Sequence, residues 1–225
     1  MIEIKRLTKT YQNGEIETRV LRGIDFTIET GEFVAVMGRS GAGKSTFMYQ
    51  MSLLDEPTSG EIIIDGHQAH TMTELEKMHF RLHTFGYVFQ DYALLPELTA
   101  IENVTVPLLM QNLEEEVARA QATDALNRVG LGERLYNLPS QLSGGEQQRV
   151  SVARAIAHSP TILFADEPTA NLDRESSHTV MNLFKDLHKD GLTIVMVTHE
   201  EEYGNMTERI AHLDEGQIVS VTKNK

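Results

Sequence analysis

Short apolar runs alternate with helix-like periodic segments along most of the chain. Near the amino terminus, Ile24, Phe26 and Ile28 alternate with polar residues and Asn13-Gly14 marks a hairpin turn, so we expect the first ~30 residues to form short strands. Further strand-like runs lie at 32–37, 61–64, 85–90, 161–165, 192–197 and 209–213, and helix-like segments at 44–54, 114–129, 146–158 and 174–189. Strands that alternate with helices predict an α/β fold with a largely parallel sheet and flanking helices.

The middle of the chain differs from both ends. Strand-like alternation stops at about 99 and returns only after 159, and helical spacing takes its place. Because sheet strands lie on both sides of this stretch, we interpret 99–159 as an inserted helical subdomain rather than a separate domain. A length of 225 residues is consistent with one large domain. We therefore expect a single domain over 1–225, with its α/β core built from 1–98 and 160–225.

Composition and charge exclude several classes of protein. Apolar residues make up 40% of the chain and charged residues 24%, which is typical of a folded globular protein. The 20 basic and 33 acidic residues give a net charge of −13, which argues against binding to nucleic acid. There is no cysteine, and no apolar run reaches the ~18 residues needed to span a bilayer. The first residues lack an export pattern, so we expect a soluble cytosolic chain. Because the net charge is negative, any anion that it binds must be held by local geometry.

A glycine-rich segment, GRSGAGKST at 38–46, follows an apolar strand and precedes a helix. It fits the phosphate-binding pattern G-x-x-x-x-G-K-[ST], known as a P-loop, at every fixed position. Glycines allow successive backbone N–H groups to turn towards phosphate oxygens, and the start of the helix adds partial positive charge. The pattern assigns Lys44 to the β- and γ-phosphates and the Ser45 hydroxyl to Mg²⁺. The residues predicted to bind a nucleoside triphosphate here are Gly38, Arg39, Ser40, Gly41, Ala42, Gly43, Lys44, Ser45 and Thr46.

The tripeptide Asp-Glu-Pro occurs twice, at 55–57 and at 166–168. A P-loop needs an acidic residue at the end of a neighbouring strand to hold Mg²⁺ and a group that positions the attacking water. The second copy follows the apolar run 162–165, which suits a buried parallel strand. We therefore assign Asp166 to Mg²⁺ and Glu167 to the attacking water. The first copy follows the helix that leaves the P-loop, and we interpret it as an acidic turn that ends this helix.

A second glycine motif, Leu-Ser-Gly-Gly-Glu-Gln at 142–147, precedes a predicted helix that contains Arg149 and Arg154. By itself it predicts a helix cap, since serine is a preferred residue at helix N-termini. In its order after the P-loop and before the second Asp-Glu pair, however, it resembles the signature of ABC-type ATPases, and the resemblance covers essentially the whole chain. The fold that this resemblance implies is a P-loop NTPase core with a mostly parallel sheet, an N-terminal antiparallel β subdomain and an inserted α-helical subdomain.

The resemblance implies roles for further residues. Tyr11 matches the aromatic residue that stacks on adenine, and His199 matches the histidine that contacts the γ-phosphate. Gln90 matches the glutamine that touches Mg²⁺ or water and senses the membrane partner, and Asp173 lies in the Asn-Leu-Asp loop exchanged between subunits. Together with the motifs above, the predicted catalytic residues are Lys44, Gln90, Glu167 and His199, and the predicted Mg²⁺ ligands are Ser45, Gln90 and Asp166.

In the family that this chain resembles, two ATPase subunits dock head to tail and hold each ATP between the P-loop of one and the signature of the other. The resemblance therefore implies ATP and Mg²⁺ as cofactors and a second ATPase subunit as partner, either another copy of this chain or a homologue. Formation of the dimer would depend on the γ-phosphate, and hydrolysis would release it. The residues placed against the partner's nucleotide are Ser143, Gly144, Gly145, Glu146 and Asp173.

Two stretches, 85–104 and 164–173, are similar to the branch of the family that serves lipoprotein release and the efflux of macrolides and antimicrobial peptides. The resemblance implies a membrane permease on a separate chain, no nucleic-acid partner, and a location at the inner face of the cell membrane. A coupling helix of the permease would dock near Gln90 and the segment 94–110. The leucines at 94, 95, 98 and 108 are each more readily interpreted as core residues.

Three other interpretations stay open. The ATPases of amino-acid importers share much of the same pattern. Soluble ABC-type ATPases that act on nucleic acid or ribosomes usually carry two ATPase halves or long coiled coils, whereas the gap between the two glycine motifs here is short and uninterrupted. A small P-loop kinase would not need the Leu-Ser-Gly-Gly motif. Two assays separate these interpretations. Stimulation of ATP hydrolysis by a permease indicates transport, and the need for an acceptor substrate indicates a kinase.

Overall fold

The computed structural model describes residues 1–14 and 16–224. The chain divides into two compact units: unit 1 comprises Met1–His79 and Gly191–Lys225, and unit 2 comprises Phe80–Asp190. The strands are β1 (Ile2–Asn13), β2 (Ile16–Ile28), β3 (Phe33–Met37), β4 (Ser59–Ile64), β5 (His67–Gln68), β6 (Phe85–Val88), β7 (Ile162–Asp166), β8 (Thr193–Thr198), β9 (Arg209–Asp214) and β10 (Gln217–Lys223). The helices are α1 (Lys44–Met51), α2 (Glu74–Thr84), α3 (Ala100–Met110), α4 (Glu115–Arg128), α5 (Gly144–Ile156), α6 (Arg174–Lys189) and α7 (Glu201–Gly204).

Unit 1 contains an antiparallel sheet with the strand order β2-β1-β4-β5. Ile2 of β1 lies opposite Ile28 of β2 and Ile64 of β4. All three side chains are buried, as are Ile24 and Phe26, because every second residue of a strand points to the same face. The predicted alternation in β2 is therefore confirmed. The prediction of short strands is wrong, since β1 and β2 contain 12 and 13 residues.

The other strands of unit 1 follow the order β10-β9-β3-β8. β3 pairs in parallel with both β8 and β9, and β10 pairs antiparallel with β9. All 5 residues of β3 and all 6 of β8 are buried, as expected for parallel strands covered on both faces. Helix α1 packs against β8 and buries Phe47, Met48 and Met51.

Unit 2 combines a pair of parallel strands with helices α3 to α6. In the strand pair, Phe85 of β6 lies opposite Ile162 of β7, and Val88 lies opposite Ala165. Helices α3, α4 and α5 pack against one another, and α5 also packs against β6. Their contacts bury small and aliphatic side chains: Ile101, Val104, Leu108, Ala118, Ala122, Leu126, Val150 and Ala153. Among the helices of residues 1–14 and 16–224, none combines the length and the hydrophobicity of a membrane-spanning segment.

Helix α3 lies in the stretch 99–159 that the sequence predicts to be helical, but hydrophobic periodicity did not mark its bounds. Pro107 lies inside it, and proline is rare in helix interiors because it lacks an N–H group. The start of the helix is nevertheless marked in the sequence. The Thr99 hydroxyl accepts the Glu102 amide at 3.4 Å, and the Glu102 carboxylate accepts the Thr99 amide at 2.8 Å. This capping box corresponds to the pattern Thr-x-x-Glu before an apolar run.

The leucines in and before α3 differ in burial. Leu108 is fully buried, so its assignment to the core is confirmed. Leu94 and Leu98 are half-buried. Leu95 is 47% exposed, so its assignment to the core is wrong. The reason is that Leu95 lies in the turn that precedes α3, where its backbone rather than its side chain is fixed by the protein.

Asn103 fixes this turn. It is 1% exposed; its Oδ1 accepts the Leu95 amide at 2.7 Å, and its Nδ2 donates to the carbonyl oxygens of Leu95, Leu98 and Thr99 at 3.1, 2.9 and 3.1 Å. Replacing Asn103 by leucine is expected to lower the free energy of unfolding by about 2–4 kcal/mol, because several backbone groups lose their partner at once. Chemical denaturation measures this loss.

The variant Asn103→Asp serves as a graded control, because it keeps the acceptor for the Leu95 amide and removes the three donated bonds. If Asn103→Leu lowered the free energy of unfolding by less than about 0.5 kcal/mol, the hydrogen bonds of Asn103 would contribute no more to stability than the side chain of an ordinary surface residue.

Candidate functional site

The P-loop connects β3 to α1 in unit 1 and requires glycine at several positions. A Cβ atom at Gly38 would lie 2.1 Å from the carbonyl oxygen of Leu213, so a larger residue does not fit. Gly41 and Gly43 have φ angles of 80° and 100°, in the left-handed region that glycine adopts without strain. Gly41 and Gly43 are therefore required by the loop's own backbone, and Gly38 is required by the close approach of β9.

Lys44 is the first residue of α1 and is only 8% exposed. Its Nζ donates to the carbonyl oxygens of Gly38 and Arg39 at 3.0 and 3.3 Å, so the ammonium group lies against the loop. Gly43, the N-cap, offers no side chain to the first amides of α1, and these amides form the positive end of the helix. Of the other loop residues, Arg39, Ser40 and Gly41 are exposed, Ala42 is buried, and Ser45 and Thr46 are half-buried.

The strand register of unit 1 places His199 at the same sheet edge as the P-loop. β3 and β8 run parallel, with Met37 opposite Thr198. Gly38 and His199 are the residues that follow these two strands. Ligands of open α/β sheets bind outside the carboxyl ends of parallel strands. Unit 1 therefore brings together two of the elements predicted to contact phosphate.

Tyr11 lies near the end of β1 and is 40% exposed. Its hydroxyl donates to Asp55 Oδ2 at 2.6 Å, and the Lys9 ammonium lies 4.7 Å from the ring centroid. Burial raises the pKa of Tyr11, as does the bond to Asp55, whereas a hydrogen bond with Thr46 acts in the opposite direction. Because Thr46 belongs to the P-loop motif, unit 1 also brings the predicted adenine-stacking residue next to the P-loop helix.

Unit 2 places the predicted acidic pair at the carboxyl end of β7. Asp166 is the last residue of this strand and is 5% exposed. Glu167 follows with a φ angle of 46°, a conformation that costs a non-glycine residue about 1–3 kcal/mol and is concentrated at functional sites. Gln90 comes two residues after the parallel neighbour β6, and its carbonyl oxygen accepts the Asn171 side-chain amide at 3.1 Å. Gln90, Asp166 and Glu167 therefore lie at one edge of the β6–β7 pair.

Ser143 is the N-cap residue of α5, so the predicted helix cap is confirmed. Its hydroxyl accepts the Glu146 amide at 3.2 Å, and the Glu146 carboxylate accepts the Ser143 amide at 2.8 Å. The bond from the Ser143 amide, with the nearby charges of Arg134 and Arg149, holds the pKa of Glu146 below its usual range. Glu146 therefore stays ionised and keeps the cap closed at neutral pH.

The two glycines of this motif lie where other segments of unit 2 approach the start of α5. A Cβ at Gly145 would lie 2.5 Å from the Ser176 hydroxyl, and one at Gly144 would lie 3.0 Å from the Tyr92 hydroxyl. Asp173 caps α6 by accepting both the amide and the hydroxyl of Ser176 at 2.8 Å, and these bonds hold the pKa of Asp173 low. Unit 2 thus brings the second glycine motif and the Asp173 loop together.

Arg154 connects the segment after Gln90 to α5, a role that the sequence did not reveal. Its guanidinium donates to the carbonyl oxygens of Tyr92 and Ala93 at 2.9 and 2.5 Å. Both of these residues have positive φ angles, 60° and 50°. Tyr92 in turn donates to the carbonyl oxygen of Asn171 at 3.3 Å. No local pattern signals these bonds, because 62 and 79 residues separate the partners.

Comparison with known proteins identifies relatives over the whole chain. Residues 21–170 match the ABC transporter family. An uncharacterized ABC transporter ATP-binding protein of Methanocaldococcus jannaschii is 46% identical over 221 residues, which are 98% of this chain and 99% of that protein. The macrolide export ATP-binding/permease protein MacB of Hyphomonas neptunium is 42% identical over 225 residues, which are 100% of this chain and 35% of that protein. This chain thus spans about a third of the length of the MacB relative.

Solved structures of similar proteins have the same fold. A dimeric ATP-binding cassette in a post-hydrolysis state, bound to ADP and Pi, has a TM-score of 0.93 and 40% identity, covering 100% of this chain and 99% of that one. The protein cbiO1 of Clostridium perfringens, part of an ABC transporter complex, has a TM-score of 0.88 and 27% identity, covering 99% and 88%. The predicted P-loop NTPase fold, with a mostly parallel sheet and a separate antiparallel sheet, is confirmed. The chain belongs to the ABC transporter family and has the fold of its ATP-binding cassette.

Proposed function

We propose that this chain is the ATP-hydrolysing subunit of an ABC transporter, and that two such subunits close around ATP to drive a membrane permease. Membership of the ABC transporter family makes the chain an ATPase. The observation that carries the rest is that one short chain has two glycine-rich helix starts, the P-loop before α1 and the motif at 143–145 before α5. An ATPase that acts alone needs only one of them.

The residues of unit 1 fit the phosphates and the base of ATP. The glycine-dependent turn of the P-loop and the first amides of α1 suit phosphate oxygens, and Arg39, Ser40 and Gly41 are exposed to a ligand. Lys44 already lies against this loop, where its charge would meet the β- and γ-phosphates. Tyr11 offers an exposed ring surface to adenine, and His199 contacts the γ-phosphate.

The donor set fits Mg²⁺, which prefers oxygen ligands. We assign the Ser45 hydroxyl, the Gln90 side-chain carbonyl and the Asp166 carboxylate as its protein ligands. Asp166 is 5% exposed, and a nearly buried carboxylate at the end of a strand is well suited to a divalent cation. When bound, Mg²⁺ neutralises charge on the β- and γ-phosphate oxygens.

Glu167 acts as the base for hydrolysis. It accepts a proton from the attacking water while the water oxygen bonds to the γ-phosphorus and the bond between that phosphorus and the bridging oxygen of ADP breaks. Lys44 and His199 stabilise the negative charge that remains on the transferred group. Gln90 orients the water and reports the state of the site to the membrane partner.

The motif that starts α5 binds the ATP held by the partner subunit. Ser143 closes the cap with Glu146, while Gly144 and Gly145 let Tyr92 and Ser176 approach the start of α5, whose amides suit a phosphate. Asp173, the N-cap residue of α6, is assigned to the loop that is exchanged between subunits. Support comes from the dimeric structures of similar cassettes, one of them bound to ADP and Pi.

We further propose that the chain works at the inner face of the cell membrane, bound to a permease on a separate chain and exporting or transmitting force rather than importing. The MacB relatives, which are named ATP-binding/permease proteins of macrolide export, support this branch. The Methanocaldococcus relative is named an ABC transporter ATP-binding protein, and the match spans 99% of its length. It therefore supports a permease on a separate chain. In this arrangement 99–159 is the helical subdomain that faces the permease, and 1–98 with 160–225 form the catalytic core.

The proposal predicts phosphate release from ATP without any acceptor substrate. The purified chain is expected to hydrolyse ATP with Mg²⁺, to lose this activity when EDTA removes the metal, and to be stimulated by a reconstituted permease that has no ATP-binding domain of its own, but not by DNA. ADP formation that requires an added acceptor, with the phosphoryl group transferred to that acceptor, would indicate a kinase. Stimulation by DNA alone would indicate a soluble ATPase of a different function.

A further inference from the structure

Asp55 lies at the centre of a hydrogen-bonded cluster in unit 1, in the acidic turn that follows α1. Its Oδ1 accepts the Lys9 ammonium at 2.7 Å and the Glu56 amide at 2.8 Å. Its Oδ2 accepts the Tyr11 hydroxyl at 2.6 Å and the Gln50 side-chain amide at 2.9 Å. The carboxylate thus accepts two bonds at each oxygen, which is its full capacity.

The cluster attaches Asp55 to the helix that starts at the P-loop. The Asp55 amide donates to the carbonyl oxygen of Tyr49 in α1 at 3.2 Å, and Gln50, also in α1, is fully buried. The first bond holds the Asp55 backbone to α1, and the Gln50 side chain holds the Asp55 carboxylate to the same helix. Because Lys44 is the first residue of α1, the group that holds Tyr11 is attached to the helix that begins at the proposed phosphate contact.

Lys9 and Asp55 together orient the Tyr11 ring. The hydroxyl bond fixes the far end of the side chain, and the Lys9 ammonium lies 4.7 Å from the ring centroid, on one face of the ring. Lys9 is itself held, because its ammonium donates to Asp55 and to the Glu56 carbonyl oxygen at 2.6 Å. Tyr11 nevertheless remains 40% exposed, so part of the ring is available to a ligand.

We propose that Asp55 is a positioning residue for the adenine base: by holding the Tyr11 hydroxyl, it fixes the plane of the ring on which the base stacks. This inference rests on the role of Tyr11 in the proposed function. An untethered tyrosine on a hairpin samples several rotamers and loses that freedom when a ligand binds. A ring fixed in advance avoids this cost, so more of the stacking energy appears as affinity for ATP.

A purely structural role for Asp55 would be to hold the turn after α1 against β1. Other bonds already do this: the Thr58 amide donates to the Thr8 carbonyl oxygen at 2.9 Å, and the Thr10 amide donates to the Thr58 hydroxyl at 2.9 Å. Because these bonds do not involve the Asp55 side chain, we expect variants at this position to keep the strand pairing. The structural and positioning roles can therefore be separated.

The test compares the dissociation constants of ATP and of inorganic triphosphate, which lacks the base, by calorimetry on the full chain. Asp55→Ala and Tyr11→Phe are each expected to raise the dissociation constant of ATP about three- to tenfold and to leave that of triphosphate unchanged. The double variant should raise the dissociation constant of ATP no more than Asp55→Ala alone, because both changes remove the same bond. Glu56→Ala is the matched control: it removes the neighbouring carboxylate, which pairs with Lys77, and should change neither constant.

Two results would overturn the inference: equal weakening of ATP and triphosphate by Asp55→Ala, or no weakening of ATP by either variant. Tyr11→Phe keeps the carboxylate and its other bonds, so it tests the same contact should Asp55→Ala fail to fold. Tyr11→Ala separates this inference from the proposed function. If only Tyr11→Ala weakened ATP binding selectively, by about tenfold or more, adenine stacking on Tyr11 would be supported and the positioning role of Asp55 refuted. If Tyr11→Ala had no effect on ATP binding, the stacking role of Tyr11 would itself be refuted.

Discussion

Replacing Glu167 by glutamine is expected to stop ATP hydrolysis, to preserve ATP binding and to leave an ATP-dependent dimer. Glutamine keeps the size of the side chain but cannot accept the proton of the attacking water, so the rate should fall about 10²–10⁴-fold. Because the γ-phosphate then persists between the subunits, the dimer should accumulate. Phosphate release measures the first effect, and size-exclusion chromatography with Mg-ATP and with Mg-ADP measures the second.

Glu175→Gln is a suitable control for this variant, because Glu175 is an exposed residue in the first turn of α6 and has no proposed role in catalysis. It should hydrolyse ATP like the unaltered chain. A Glu167→Gln protein that stays monomeric at saturating Mg-ATP would contradict the proposed sandwich. One that hydrolyses ATP at the normal rate would contradict the role of Glu167 as base.

Two inactive variants are expected to restore activity when they are mixed. Lys44→Ala removes the cation of the P-loop, and Gly145→Ala places a Cβ 2.5 Å from the Ser176 hydroxyl and so displaces the start of α5. Each variant alone should lose activity at least about 100-fold. In a head-to-tail mixed dimer, one ATP site carries both changes and the other carries neither, so an equimolar mixture should recover about a quarter of the normal activity.

Differently tagged subunits allow the mixed dimer to be isolated and assayed directly. Circular dichroism shows whether Gly145→Ala retains its fold, which makes its loss of activity interpretable. If the isolated mixed dimer remained inactive, the ATP sites would not be built from two subunits. If Gly145→Ala alone were active, the second glycine motif would serve only as the cap and the α6 contact that the structure shows.

Elements with contiguous local signals were predictable from the sequence. The helix predicted at 174–189 is observed as Arg174–Lys189, because Asp173 caps its start and its apolar residues recur at helical spacing. The order β3, P-loop, α1 was predictable for the same reason, since a buried strand, a glycine pattern and a helix follow one another directly. Only the end of α1 differs: it stops at Met51, and Leu53 has a φ angle of 56°.

Two elements gave no usable periodic signal. Seven residues form β10, but only Ile218 among them is even half-buried, so the short Val-Ser-Val alternation at 219–221 does not mark a buried face. It exists because β9 supplies hydrogen-bonding partners along its length. Helix α3 lies in a stretch predicted to be helical, but Pro107 obscured its bounds, although its capping box was present in the sequence. In both cases, tertiary contacts outweigh local preference.

The sequence by itself determined the family, the two glycine motifs and the identity of the candidate site residues, because each motif is a run of neighbouring residues with fixed spacing. Only the tertiary structure showed why Gly145 must be glycine, how Arg154 holds the segment after Gln90, and that Asp55 ties Tyr11 to the P-loop helix. The Asp55–Tyr11 bond joins residues 44 positions apart, and the Arg154–Ala93 bond joins residues 61 apart. Contacts of this kind depend on how segments far apart in the sequence pack together, and a pattern of neighbouring residues carries no information on that packing.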